Sequence, residues 1–270
     1  MERSLGLMCG AGVLPARMAD EARRQGWRVV AFTFDPNPAL AERAHAAVPA
    51  RITELSAVLQ RLQRERIRSL LFSGRFSMPD VLRVGEGADS LFRSLEARAT
   101  SRSGPAFVDA IIATVGALGI EVLDQRDFVG DWLVGPGSWS ARTPTESEWQ
   151  DARRGLAAAR ALAAAHVGQT VVIRHGAVVA VEAVEGTSEA VRRGGALAGP
   201  GTVVVKAVAP DHDYRFDAPA VGPETLQAAA AAGVAVVALE AGRVLLFDRP
   251  ETLQIAGAAG IAVIGIDDPS

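Results

Sequence analysis

The chain has one cysteine, one lysine, no long uninterrupted apolar run and no marked excess of charge of either sign. Each shortage excludes something. With Cys9 alone, neither an intrachain disulfide framework nor a cysteine-built zinc site can form. No apolar run reaches about 18 residues, and the stretch 4–9 is too short for the core of a secretion signal. A cytoplasmic protein is expected. The 28 basic residues against 31 acidic ones, net −3, give no footprint for bulk nucleic-acid binding. A Gly-x-Ser-x-Gly elbow is missing, so a serine hydrolase lacks its usual sequence support. Every basic residue except Lys206 is arginine, a pattern that fits drift in base composition. A lysine retained at the end of an apolar run nevertheless marks position 206, because arginine does not replace lysine at every site.

What is present is globular: 270 residues, 49% hydrophobic and 22% charged, enough for one large or two modest domains. Residues 1–130 carry 17 basic and 15 acidic side chains (+2), and residues 131–270 carry 11 and 16 (−5). An anion therefore suits the first part better and a metal ion the second.

The first third alternates apolar runs with helical spacing. Strands are expected at 4–9, 27–34, 69–72 and 120–123, and helices at 14–25, 53–65, 89–99 and 105–118. This order predicts a Rossmann-like parallel sheet flanked by helices. The Gly, Pro and Ser content of 134–143 reads as a connection between domains. A helix should follow it, with Thr143 as cap, Pro144 in the first turn and Glu146 completing a capping box. His175-Gly176 between two apolar runs is a hairpin signal, and a short helix is expected near 188–193. Pro-Glu-Thr-Leu-Gln at 223–227 recurs at 250–254, each copy followed by Ala-Gly and an apolar run. That repeat predicts two helix–strand units. The fold class is thus α/β with two domains: an N-terminal Rossmann-like domain, 1–133, and a C-terminal mixed α/β domain, 134–270, holding the hairpin and the repeated units.

Gly10-x-Gly12 between a strand and a helix lets backbone approach phosphate, and the helix N-terminus adds N–H donors. Position 15 is proline where a dinucleotide fingerprint has its third glycine, although Asp35 stands where a ribose hydroxyl could be received. Arg75, after the third strand, can hold a phosphate oxygen. Glu185-Gly186-Thr187 brings a carboxylate to a turn before a helix. Residues 211–217 read Asp-His-Asp-Tyr-Arg-Phe-Asp. Drawn as extended chain, they place Asp211, Asp213, Arg215 and Asp217 on one face, with His212, Tyr214 and Phe216 on the other. Crowded carboxylates need a cation, a proton or Arg215 to offset them. A seat for a divalent metal and phosphate chemistry, or a charged edge strand, both satisfy the pattern.

Several of these stretches resemble one family. They are Gly10-Ala-Gly12-Val-Leu14-Pro15, Val122-Leu-Asp124-Gln125, Arg142-Thr-Pro144-Thr145, and Asp151 with Gly155. Gly168-Gln169, Val181-Glu182, Glu185-Gly186-Thr187, Lys206, Asp213-x-Arg215-Phe216-Asp217-x-Pro219 and Gly222-Pro-Glu-Thr225 continue the series in order. The chain resembles the LpxI-type UDP-2,3-diacylglucosamine pyrophosphatases along nearly its whole length. The resemblance implies Mg²⁺- or Mn²⁺-dependent hydrolysis of a UDP-glycolipid to UMP and 2,3-diacylglucosamine 1-phosphate in lipid A synthesis. It also implies two domains with the lipid product held between them; peripheral contact with the inner face of the inner membrane and a homodimer both stay open. An essential aspartate falls at Asp213, with Asp217 the second choice. On this basis Asp213, Asp217 and Asp211 would hold the metal, Arg215 and Lys206 would neutralise phosphate oxygens, and Asp211 or His212 would take the water proton. Gly10, Gly12, Leu14, Pro15, Arg75, Glu185, Gly186 and Thr187 would bind substrate. The chain departs from the pattern at His166, Ser188, Ala209 and His212, positions that bear on substrate and metal affinity. The rival classes are a non-catalytic nucleotide- or lipid-binding homologue and an NAD(P)-dependent oxidoreductase using Gly10, Gly12 and Asp35.

Overall fold

The computed structural model describes residues 3–76, 87–99 and 105–267. The chain forms two compact units, Met1–Val129 with Asp213–Ala218, and Gly130–His212 with Pro219–Ser270. The first unit therefore borrows a short segment from far along the sequence.

The first unit is built on a five-stranded sheet. Its strands are β1 (Ser4–Cys9), β2 (Arg28–Thr33), β3 (Ala46–Pro49), β4 (Ser69–Ser73) and β5 (Glu121–Val122), in the order β3-β2-β1-β4-β5. Every pairing is parallel. Central strands of a parallel sheet are covered on both faces, which explains the unbroken apolar runs of β1 and β4. Met8, Phe32, Leu70, Phe72 and Val122 share one core with Val58 and Leu62 of helix Leu55–Arg64. Helix Leu14–Arg24 returns the chain from β1 to β2, burying Leu14, Ala16, Met18, Ala19 and Ala22 at helical spacing. The edge strand β3 has no counterpart among the expected strands. Half of its residues are exposed and it ends in proline, so it carries no apolar run to read.

The second unit holds a six-stranded sheet whose strands are β6 (Gly137–Ser138), β7 (Thr170–Arg174), β8 (Ala177–Val181), β9 (Thr202–Lys206), β11 (Val234–Glu240) and β13 (Ala262–Ile266), in the order β6-β13-β11-β9-β7-β8. Strands β9, β11 and β13 run parallel. The hairpin of β7 and β8 joins antiparallel to β9. His175 (φ 50°) and Gly176 (φ 78°) make the left-handed two-residue turn that a His-Gly pair favours. The short pair β10 (Ala220–Val221) and β12 (Leu245–Leu246) lies apart in a sheet of its own. The Val203-Val204-Val205 run divides between two cores. Val203 and Val205 pack with Ala152, Leu156 and Ala159 of helix Glu146–Ala164, while Val204 packs with Val191, Leu226 and Ala256 of helices on the other face. A Cβ on Gly155 would collide with the Val205 side chain, so glycine is what lets that long helix close on the sheet. The repeat is realised as expected: helices Pro223–Ala231 and Arg249–Ala259 each stop near a left-handed glycine, Gly233 and Gly260, before β11 and β13.

Three expectations need correction. The cap of the long helix is Thr145, boxed with Glu148, not Thr143 with Glu146. Thr-x-x-Glu occurs in both registers, and the ion pair from Arg142 to Glu148 at 2.7 Å supports the later one. The stretch 134–143 is more than a connection, since β6 (Gly137–Ser138) pairs antiparallel with β13 and Trp139 N–H donates to Val263 C=O. Residues 211–217 form turns, not a strand. The expected alternation survives in part: Tyr214 is buried and Phe216 packs into the first core, while Asp211 and Asp217 are exposed.

Candidate active site

At the carboxyl edge of the first unit's sheet, the loops after β1 and β4 lie back to back. Ala11 N–H donates to Arg75 C=O (2.8 Å), Arg75 N–H to Ala11 C=O (3.0 Å) and Gly10 N–H to Ser73 C=O (2.9 Å). A side chain on Gly10 would put its Cβ 2.6 Å from the Arg75 carbonyl oxygen. Gly74 is equally constrained: its φ is +83°, and a Cβ there would lie 2.7 Å from the Ala11 carbonyl oxygen. Gly12 (φ +97°) has open space where a side chain would be, so its backbone is approachable. Leu14 and Pro15 are buried in the first turn of the helix that follows, whose N-terminus has no side-chain cap. Arg75 is exposed at the rim. Among the described residues, Ser73 Oγ and Gln125 Nε2 are buried polar atoms without partners; Ser73 ends β4 and Gln125 follows β5.

The segment Asp213–Ala218 is laid onto this edge. Phe216 stacks on Phe72 with centroids 4.2 Å apart, and Phe76 and Phe34 extend the aromatic row. Gln125 N–H donates to Tyr214 C=O (3.1 Å), and Arg126 lies 4.3 Å over the Tyr214 ring. The turn closes on itself. Asp213 Oδ1 accepts from the Arg215 backbone N–H (2.9 Å) and Nε (3.0 Å), and Oδ2 accepts from Nη2 (2.7 Å). Asp124 and Arg126 repeat this clasp: backbone N–H 2.8 Å, Nε 3.0 Å and Nη2 2.6 Å. The two clasps share one electrostatic neighbourhood. Burial pushes the Asp124 carboxyl up and Asp213 adds repulsion, but the Arg126 hydrogen bonds hold it below its ordinary range. The hydrogen bond to Asp213 raises Arg215 further, helped by Asp109 and Asp124. Charge-assisted forks of this kind keep a guanidinium oriented. Asp124 and Arg126 are not among the site residues that the sequence singles out. The signal that could find them is the Asp-x-Arg spelling, present at both 124–126 and 213–215.

The second unit contributes a separate buried cluster. Lys206, the last residue of β9, donates from Nζ to Thr187 Oγ1 (3.0 Å) and Thr170 Oγ1 (3.3 Å), and lies 3.5 Å from Glu182 Oε2. Thr187 donates to Glu182 Oε1 (2.7 Å) and the Gln169 N–H reaches Oε2 (3.3 Å). Burial raises the Glu182 carboxyl, yet the Lys206 charge and the hydroxyl donors bring it below its usual range. The Lys206 ammonium is thus engaged inside its own unit. Gly186 (φ +85°) opens helix Thr187–Ala198 without a side-chain cap, and Glu185 pairs with Arg193 (2.5 Å). Asp151, part of the resemblance, is architectural: its carboxylate accepts the backbone N–H groups of His175 (2.8 Å) and Gly176 (2.6 Å) and so holds the hairpin turn.

The unit boundary falls between His212 and Asp213, which divides the candidate metal set Asp211, Asp213 and Asp217. Among the described residues, no three of His, Cys, Asp or Glu stand together so as to hold a metal ion. Nor is any described helix long and apolar enough to cross a membrane.

A two-unit α/β protein emerges, with a glycine loop and paired Asp-x-Arg clasps at the carboxyl edge of a parallel sheet, where such folds take their ligands. The chain belongs to the LpxI family: the LpxI N-terminal domain matches residues 4–132 and the LpxI C-terminal domain residues 135–264. A relative from Caulobacter vibrioides, the UDP-2,3-diacylglucosamine pyrophosphatase LpxI, is 30% identical over 258 residues, covering 92% of this chain and 91% of its own length. Among solved structures, a glycinamide-RNase-transformylase T from Mycobacterium tuberculosis aligns at 16% identity over 67% of this chain and 44% of its own, with TM-score 0.28. An N5-carboxyaminoimidazole ribonucleotide synthetase from Thermotoga maritima gives 12%, 67%, 41% and 0.25. Likenesses that low support no argument.

Proposed function

We propose that this chain hydrolyses the pyrophosphate bond of UDP-2,3-diacylglucosamine, releasing UMP and 2,3-diacylglucosamine 1-phosphate for lipid A synthesis. The family match across both units carries the reading, and the Asp213–Arg215 clasp supplies the chemistry. Phosphoryl transfer asks a protein for positioning and charge stabilisation above all. Arg215 is held by Asp213 through Nε and Nη2, which leaves Nη1 for a phosphate oxygen. Asp213 orients Arg215; water attacks the phosphorus that bears the sugar oxygen, the bond from that phosphorus to the bridging oxygen breaks, UMP departs with that oxygen, and the water proton passes to bulk water. The Gly12 backbone, with open space beside its Cα, is left for a further phosphate oxygen.

Magnesium enters this reading as a companion of the substrate: Mg²⁺ commonly rides on phosphate oxygens and takes one or two protein carboxylates. UMP release from the purified protein and the UDP-lipid tests the function. Asp213→Ala should lower turnover by ~10²-fold or more while unfolding stays cooperative. EDTA should stop release and added Mg²⁺ restore it. Near-normal turnover in the variant would remove the role of Asp213, and turnover undiminished in EDTA would remove the metal.

A further inference from the structure

We infer that an arginine-rich groove at the amino edge of the first unit's sheet is a phosphate-recognition site, for a phosphate group that is either free in solution or carried by an anionic lipid. The inference does not depend on the proposed reaction. The groove, about 1070 Å³, is lined by Ser4, Arg28 and Ser69, the first residues of β1, β2 and β4, and by the turn before β4. It lies at the opposite strand ends from Gly10 and Ser73.

Its lining holds five arginines, at positions 3, 28, 64, 66 and 68, and one carboxylate, Glu65. That carboxylate does not balance them. It is already gripped by Arg28 Nη2 and Arg61 Nη2, each at 2.7 Å. Among the described residues, Arg64 and Arg66 find no side-chain hydrogen-bond or ion-pair partner, and Arg68 has only a 3.5 Å approach to Leu118 C=O. The chain holds Arg66 at φ 53° in the turn, a left-handed conformation that non-glycine residues adopt infrequently.

The second observation comes from Trp27. It lines the groove, is 7% exposed, and its Nε1 is buried without a hydrogen-bond partner among the described residues. An indole N–H can only donate. The Arg3 guanidinium lies 3.9 Å over the same ring. The groove thus gathers five guanidinium groups against one carboxylate that is already engaged, beside an indole whose N–H is buried without a partner among the described residues. A tetrahedral oxyanion with several acceptor atoms is the complementary group, and arginine forks match phosphate well.

The test uses the full chain labelled with ¹⁵N. The Trp27 indole N–H resonance is identified by its loss in Trp27→Phe, then followed during titration with inorganic phosphate against chloride at matched ionic strength. A parallel arm measures co-sedimentation with phosphatidylcholine vesicles, with and without phosphatidylglycerol. The expected result is a saturable shift of that resonance with phosphate, at least tenfold weaker in the combined variant Arg64→Gln, Arg66→Gln and Arg68→Gln. Capture by phosphatidylglycerol vesicles, lost in the same variant, assigns the phosphate to lipid; a phosphate response without capture assigns a soluble ligand. A resonance unmoved by phosphate with no vesicle capture overturns the inference. So does an equal response in the wild type and the combined variant.

Discussion

Replacing Lys206 by methionine probes the buried cluster of the second unit most directly. The lysine side chain is 6% exposed and that of Glu182 12%. Removing the ammonium strands a carboxylate that retains the Thr187 hydroxyl (2.7 Å) and the Gln169 N–H (3.3 Å). Breaking a buried ion pair costs about 3–5 kcal/mol. Because the N···O separation is 3.5 Å and two donors remain, ~3 kcal/mol is expected. The combination Lys206→Met with Glu182→Gln leaves no buried charge and should recover ~2 kcal/mol of that loss, so the double variant should cost less than the sum of the singles. Urea denaturation followed by fluorescence measures each variant. The pH dependence adds a sign. In the wild type the Glu182 carboxyl lies below its ordinary value. Its stabilising contribution is therefore complete above about pH 4.3 and is lost as pH falls through the depressed folded value. In Lys206→Met desolvation acts without the lysine charge, so the folded value rises above the ordinary one. That variant should then lose stability as pH rises from about 4.3 through the raised value. A single-variant cost under ~1 kcal/mol, or a double variant equal to the sum of the singles, would contradict this account of the pair.

Two further outcomes follow from the first unit. Gly74→Ala must place a methyl 2.7 Å from the Ala11 carbonyl oxygen at φ +83°; left-handed strain and overpacking together should cost ~2–4 kcal/mol, seen as a lower urea midpoint, and an unchanged midpoint would show that the two loops separate freely. Asp124→Asn removes the charge that orients Arg126 over Tyr214; UMP release should fall ~10-fold or more with unfolding still cooperative, whereas unchanged kcat/KM would limit Asp124 to architecture.

Legibility varies with how local the determining physics is. The alternating apolar runs and helical stretches of the first third are properties of neighbouring residues, and the sheet they predict forms in the order β3-β2-β1-β4-β5. The Pro-to-Gly repeat and the His175-Gly176 turn are legible for the same reason. Where local signals are duplicated, local reading picks the wrong register. Thr143 and Thr145 both offer a capping box, and the structure uses the second. Where local signals are faint, elements escape notice: β3 is half exposed, and β6 is a two-residue strand recognised only by its pairing with β13. The Asp-x-Arg clasp at 124–126 is spelled in the chain, but nothing local connects it to its counterpart at 213–215.

The α/β class, the two-part organisation, the turns that need glycine and the family resemblance all rest on spacing and residue type, so they can be read before any fold is known. Other features exist only once the chain has packed. Asp213–Ala218 joins the first unit, Lys206 is buried among Thr170, Thr187 and Glu182, and Asp151 holds a hairpin. The first depends on partners such as Gln125 and Tyr214, or Phe72 and Phe216, brought together by the packing of the sheet edge, and the other two on contacts within the second unit. Side-chain stacking and long-range hydrogen bonds leave no trace in the spacing of either partner alone.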